Sequence, residues 1–236
     1  VLFNELKTDF DSKDLSDYIL VSIGDFLREK TSSPSQSKSY YQAALDSSDK
    51  AYEFPALFGL ADVLGQGSKA DRVEAIKVLG RVYADADKKD QKEKALFRIV
   101  SIEFENENYE EAIKRGRAYL ADKTIKQRNG PVARLMIAQS YDKQGKSEDA
   151  IGIYGQIWTT SQGYIKVSAP ALKRYMELLW ERNGSSAGGT KSDRQKVYEE
   201  GWKWVDGTKA FSKLTDSEKA DRDAVVKLVG DYEAYP

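Results

Sequence analysis

A pattern of large and small apolar residues recurs along this chain, and it limits the possible folds more tightly than any other feature. Leu20, Ile23, Gly24 and Leu27 form the first set, and Leu57, Leu60, Ala61 and Leu64 the next. Phe97, Val100, Ser101 and Phe104 follow, then Ile137, Ala138 and Tyr141, and last Leu172, Tyr175, Met176 and Leu179. The i, i+3, i+4, i+7 spacing places each set on one face of an α-helix. A second helical block trails each first one, marked by Tyr41 and Ala44, Ala75 and Leu79, Ala112 and Tyr119, Ala150 and Tyr154, and Tyr198 and Trp202. The starts near residues 17, 54, 94, 131 and 169 are separated by 37, 40, 37 and 38 residues. A two-helix unit of this size cannot bury its apolar face alone, so the pattern predicts stacking of neighbouring pairs. Proline gives the same register: three of the five (Pro55, Pro131 and Pro170) fall at expected starts of first helices, where the missing N–H has no partner to lose.

The most regular unit is Pro131–Trp158, PVARLMIAQSYDKQGKSEDAIGIYGQIW, in which Gly145 separates the two helical blocks. It resembles the tetratricopeptide repeat (TPR) at Ile137, Ala138, Tyr141, Ala150 and Tyr154, and departs from it at Arg134 and Ile157. The resemblance implies an all-α fold, a right-handed superhelical solenoid of about five repeats (17–53, 54–93, 94–130, 131–168 and 169–205). Residues 1–16 are expected to form a lead-in helix, and 206–236 a C-terminal capping helix. Thr215 followed three residues later by Glu218 has the spacing of a capping box at the start of that helix. Polar stretches at 31–39 and 183–191 read as loops. The pitch and the run Tyr141–Ile151 are similar to bacterial envelope TPR proteins, which implies a periplasmic or envelope location, with a cytoplasmic one as the alternative. The lipid-bearing Cys of the envelope lipoproteins is absent. The sequence opens on Val1 without a signal segment, and a processed or partial chain is the expectation.

Composition narrows the chemistry. The chain has no Cys and no His, which removes disulfides, thiol nucleophiles, His-dependent triads and His- or Cys-ligated metals. Lys plus Arg is 37 against Asp plus Glu 38, a balance unlike that of a nucleic-acid binder. No apolar run reaches the roughly 18–20 residues of a membrane helix. No cofactor or metal is expected. The acidic run Glu103–Glu111 reads as a solvated face, and GQGSKAD (65–71) lacks phosphate-loop spacing and reads as a turn. Gly188-Gly189-Thr190-Lys191 is a weak anion-site pattern. Most aromatic residues fall on packing positions.

The resemblance implies a non-catalytic protein-interaction module. In TPR-like solenoids the first helices line a concave groove. Transferring that geometry implies a surface of Asp25 and Arg28, then Phe58, Asp62 and Gln66, then Arg98, Ile102 and Asn106. Leu135, Gln139 and Lys143 continue it, and Lys173 and Trp180 complete it. Its mixture of charges, amides and apolar anchors suits a protein or peptide segment rather than a phosphate backbone. Asp25 and Asp62 stand where chaperone-binding relatives grip a C-terminal carboxylate, and would repel one. Two other readings are a helical spacer of a larger envelope assembly, and a His-free carboxylate enzyme of the murein-cleaving helical type.

Overall fold

The computed structural model describes residues 15–30, 34–47, 50–182 and 192–233. Among them are eleven α-helices, one 3-10 turn and no strand. The helices are α1 (Asp17–Lys30), α2 (Ser37–Asp46), α3 (Glu53–Gly65), α4 (Lys69–Asp85), α5 (Lys89–Glu105), α6 (Tyr109–Ala121), α7 (Gly130–Lys143), α8 (Ser147–Thr160), α9 (Ile165–Arg182), α10 (Asp193–Thr208) and α11 (Asp216–Glu233). Eleven is the number of helices that five expected pairs and a terminal helix require.

Two compact units divide the chain. The first holds α1 to α5, each packed on the next, and the segment 122–127 returns to it. Its core is built from Leu20, Tyr41, Leu57, Leu60, Leu79 and Ile102, with Val82 and Ile99 around them. The second holds α6 to α11, again with successive helices packed together, and α11 lies against both α9 and α10. Its core centres on Tyr154, Ile157, Leu172, Met176, Trp204 and Val229. The third expected repeat, 94–130, is therefore shared: α5 packs on α4 in the first unit, and α6 packs on α7 in the second.

Small residues let large ones in. A Cβ on Gly24 would stand 2.7 Å from Tyr41 Cε1, and one on Gly59 only 2.3 Å from the same atom. Two glycines, on α1 and α3, thus make the slot that takes the Tyr41 ring of α2. In the fifth pair the roles are exchanged. Met176 occupies the usual small position and is fully buried. Its partner is Gly201, whose added Cβ would meet Met176 Sδ at 3.0 Å and Val229 Cγ2 at 2.6 Å.

Helix ends follow local chemistry. Ser68 and Asp71 form a reciprocal capping box before α4, so GQGSKAD is a turn and a cap. Ser192 and Gln195 do the same for α10. Before α11 the Thr215 backbone N–H donates to Glu218 Oε2 at 2.9 Å, and the Glu218 N–H donates back to Thr215 Oγ1 at 3.3 Å. Gly145, at φ +72°, closes α7 in the left-handed conformation that glycine adopts without a Cβ penalty.

Several expected boundaries move. α5 begins at Lys89 rather than near 94, because Lys89, Gln91, Lys92, Glu93 and Lys94 are good helix formers and Asp90 suits the first turn, so the helix extends beyond its apolar stripe. α9 begins at Ile165 rather than 169, which leaves Pro170 inside the helix. The backbone bond forfeited there is offset by burial of Ile165, Val167 and Ala169. Within the expected 31–39 loop, Pro34–Gln36 is a 3-10 turn and α2 has already begun at Ser37. Tyr198, expected to pack, is exposed; Val197, Gly201, Trp204 and Val205 form the buried face of α10. The lead-in helix, apart from Leu15 and Ser16, and the 183–191 loop with its Gly-Gly-Thr-Lys lie outside the described residues.

Candidate functional site

A cleft of about 430 Å³ opens in the first unit, lined by residues of α1, α3 and α5. These are the first helices of the first three expected repeats. Pro55, Phe58 and Gly59 supply its apolar surface; Asp25, Arg28, Asp62, Asp90, Gln91 and Lys94 supply the polar groups. Phe58 is itself mostly packed, at 8% exposure.

The polar wall is a connected network. Arg28 Nε donates to the Tyr41 hydroxyl at 3.2 Å, and that hydroxyl donates to Asp25 Oδ1 at 2.7 Å. Arg28 Nη2 reaches Asp25 at 3.3 Å and Glu29 at 2.7 Å, and Nη1 reaches Asp62 Oδ2 at 3.4 Å. The other oxygen of Asp62 accepts from Arg98 Nε at 2.8 Å, and Arg98 Nη1 donates to Glu105 at 3.1 Å. Asp62 on α3 therefore ties α1 to α5. Burial opposes the charge on Arg28, but the bonds to Tyr41 and Asp25 and the nearby Asp62 outweigh it and raise its pKa. Burial, then the bond to Asp25, pushes the Tyr41 phenol above its ordinary range. Both groups hold fixed protonation states at neutral pH. Lys94 Nζ lies 4.2 Å from the centroid of the Phe58 ring, a cation–π contact.

Five of the residues expected on a groove, Asp25, Arg28, Phe58, Asp62 and Arg98, thus meet at one place. The others in this unit do not join them as free surface groups. Ile102 is fully buried in the core, with Gly65 leaving room for it. Gln66 follows the end of α3 and is exposed. Asn106 ends α5, where its side chain accepts a hydrogen bond from Arg72 of α4.

In the second unit, Leu135 is buried and Gln139 half-buried, while Lys143 and Lys173 are exposed. Trp180 is stacked on Tyr232 of α11 with centroids 4.3 Å apart, and the Arg194 guanidinium carbon lies 4.5 Å from its ring centroid. The terminal helix therefore covers the aromatic face expected to be open. Sequence reasoning missed the polar cluster of this unit. Arg174 of α9 grips Asp142 of α7 through two bonds, at 2.7 and 3.0 Å, and reaches Glu177 at 3.1 Å. It also missed Asp90, Gln91 and Lys94, because the first-helix pattern begins only at Phe97, one to two turns downstream.

Among the described residues, no group of three or more acidic side chains is arranged to hold a metal ion, and no helix is long and apolar enough to cross a membrane. Comparison with protein-family models and with curated protein sequences gave no match.

Proposed function

We propose that this chain is a non-catalytic interaction module, a stack of TPR-like helix pairs that binds a peptide or partner segment. The observation that carries the reading is the cleft across α1, α3 and α5, where successive first helices present charged side chains around an apolar floor. Asp25, Arg28 and Asp62 already hold one another in a hydrogen-bonded network, which supports recognition by a preorganised surface. A reacting group would need a pKa poised near neutrality; the two shifted groups on this wall, Arg28 and Tyr41, both move away from it.

The test is selection from a displayed library of random peptides on the immobilised protein. Peptides are expected to be retained by the parent and by Lys173→Glu, which alters an exposed residue of the second unit. They are expected to be lost from Gln91→Trp, which fills the cleft from its α5 wall, with helicity checked by circular dichroism. Retention by Gln91→Trp equal to the parent would move the site elsewhere. No enrichment on any of the three would remove the peptide-binding reading and favour a spacer role.

A further inference from the structure

The charge distribution around the cleft points to the kind of peptide it would take, an inference that rests on the function proposed above. Four carboxylates, Asp25, Glu29, Asp62 and Glu105, share the two guanidiniums of Arg28 and Arg98. The network therefore carries a formal excess of two negative charges. Every nitrogen of Arg28 already donates: Nε to Tyr41, Nη1 to Asp62, and Nη2 to Asp25 and Glu29. Four of its five N–H groups are thus engaged, and only the second one on Nη1 is left for an incoming anion. Asp25 is different. Both hydrogen bonds to it converge on Oδ1, and its side chain is 47% exposed, so Oδ2 remains open to a new donor.

The floor supplies the rest of the recognition. Lys94 already rests its ammonium over the Phe58 ring, which shows that this ring face accepts a cation on an aliphatic stem. A basic side chain from a ligand can take the same ring face while Lys94, exposed to solvent, swings away. We infer that the cleft binds an extended peptide through a Lys or Arg side chain, its stem on Pro55 and Phe58 and its charge on Asp25. An acidic residue at that point would face the carboxylate excess and find all but one of the Arg28 N–H groups occupied. The attraction is partly exposed and so weakens as salt is added.

The experiment is fluorescence anisotropy with the full chain and three pools of short labelled peptides. The pools are equal in apolar content and differ only in a fixed central residue: Lys or Arg, Gln, or Glu. The basic pool is expected to bind about tenfold more tightly than the Glu pool, and this margin is expected to shrink with salt. Asp25→Asn keeps an acceptor for Tyr41 and is expected to erase most of the preference. Glu29→Gln, at an exposed position outside the cleft lining, is expected to halve it and covers the case in which Asp25→Asn fails to fold. Glu177→Gln in the second unit is expected to change nothing. Equal binding of all pools, tighter binding of the Glu pool, or a preference untouched by both first-unit variants would overturn the inference while leaving a peptide module standing. Failure of every pool to bind would overturn both.

Discussion

Removing the guanidinium of Arg182 would take from the Asp193 carboxylate, fully buried at the start of α10, a pair of donors at 2.8 and 2.7 Å. Removing one partner of a buried ion pair is among the costliest single changes. Arg182→Ala is therefore expected to lower stability by about 3 kcal/mol, and chemical denaturation would measure it. Arg182→Met with Asp193→Leu should cost much less, since both charges of the pair are then removed together; an equal loss in the double variant would show that packing, not charge, is at stake. Backbone conformation gives a second residue-scale contrast. Glu107 (φ 60°) and Gln127 (φ 51°) are the two non-glycine residues with positive φ among the described residues. Glu107 follows the end of α5, where glycine is preferred, so Glu107→Gly is expected to stabilise by about 0.5 kcal/mol. The Gln127 side chain instead donates to the Asp122 carbonyl at 2.6 Å, and Gln127→Gly is expected to be neutral or destabilising. The Thr215–Glu218 cap was legible in the sequence because its partners sit three residues apart. The Arg182–Asp193 pair was not, because their meeting depends on how α9 and α10 pack.

At the level of elements, the sequence reveals most where one face of one helix decides the outcome. Leu20, Ile23 and Leu27, or Leu57, Leu60 and Leu64, are buried at the positions their spacing predicts. It reveals least where two helices negotiate. Met176 looks like a broken repeat position until Gly201 is seen opposite it, and the Trp180 face looks open until α11 arrives with Tyr232. The cleft wall follows the same logic: Asp62, Arg28 and Arg98 were legible as first-helix positions, whereas Lys94 and Gln91 lie on a turn of α5 that carries no apolar signal. The slot for Tyr41 gives the prediction at this scale. Gly59→Ala would drive a methyl group into the ring at 2.3 Å, and overpacking of this kind costs about 1–3 kcal/mol. Because the same ring hydrogen-bonds to Asp25 and Arg28, the variant should also disturb the cleft, whereas Gly80→Ala, with open space around its Cβ, should stabilise by up to about 1 kcal/mol. Thermal melts of the two variants separate the outcomes. If Gly59→Ala melts with the parent, the close approach of α3 to Tyr41 is wrong.

For the molecule as a whole, the absence of His removes the side chain that ordinarily titrates between about pH 5 and 8. Stability is set instead by groups at the two ends of the scale. Asp71 is held below its ordinary 3.8 by the Ser68 hydroxyl and backbone, Asp122 below 3.8 chiefly by the Thr124 hydroxyl, and Glu218 below its ordinary 4.5 by the Thr215 N–H. A carboxylate with a depressed folded pKa contributes stability that is present above its unfolded value and lost as pH falls through the folded one, so these three weaken the fold in acid. Glu200 acts in the opposite sense: burial raises it above 4.5, so its share of stability is present below that value and lost as pH rises through its folded pKa. At the alkaline end, burial lifts Tyr41, Tyr154 and Tyr175 well above the ordinary 10.0, and Tyr232 to about 12. Their neutral forms favour the folded chain below pH 10.0, and that contribution disappears as the pH rises from there through the folded values. The expected profile is a decline as the pH falls below the ordinary carboxylate values of 3.8 to 4.5, and a steep loss above 10.0. Helicity and absorbance at 295 nm, followed together from pH 3 to 12, check it. The rise in tyrosinate from the buried phenols should coincide with the collapse of the helices. A single ionisation step completed while helicity is unchanged would mean that the buried phenols are not held in their neutral form by the fold.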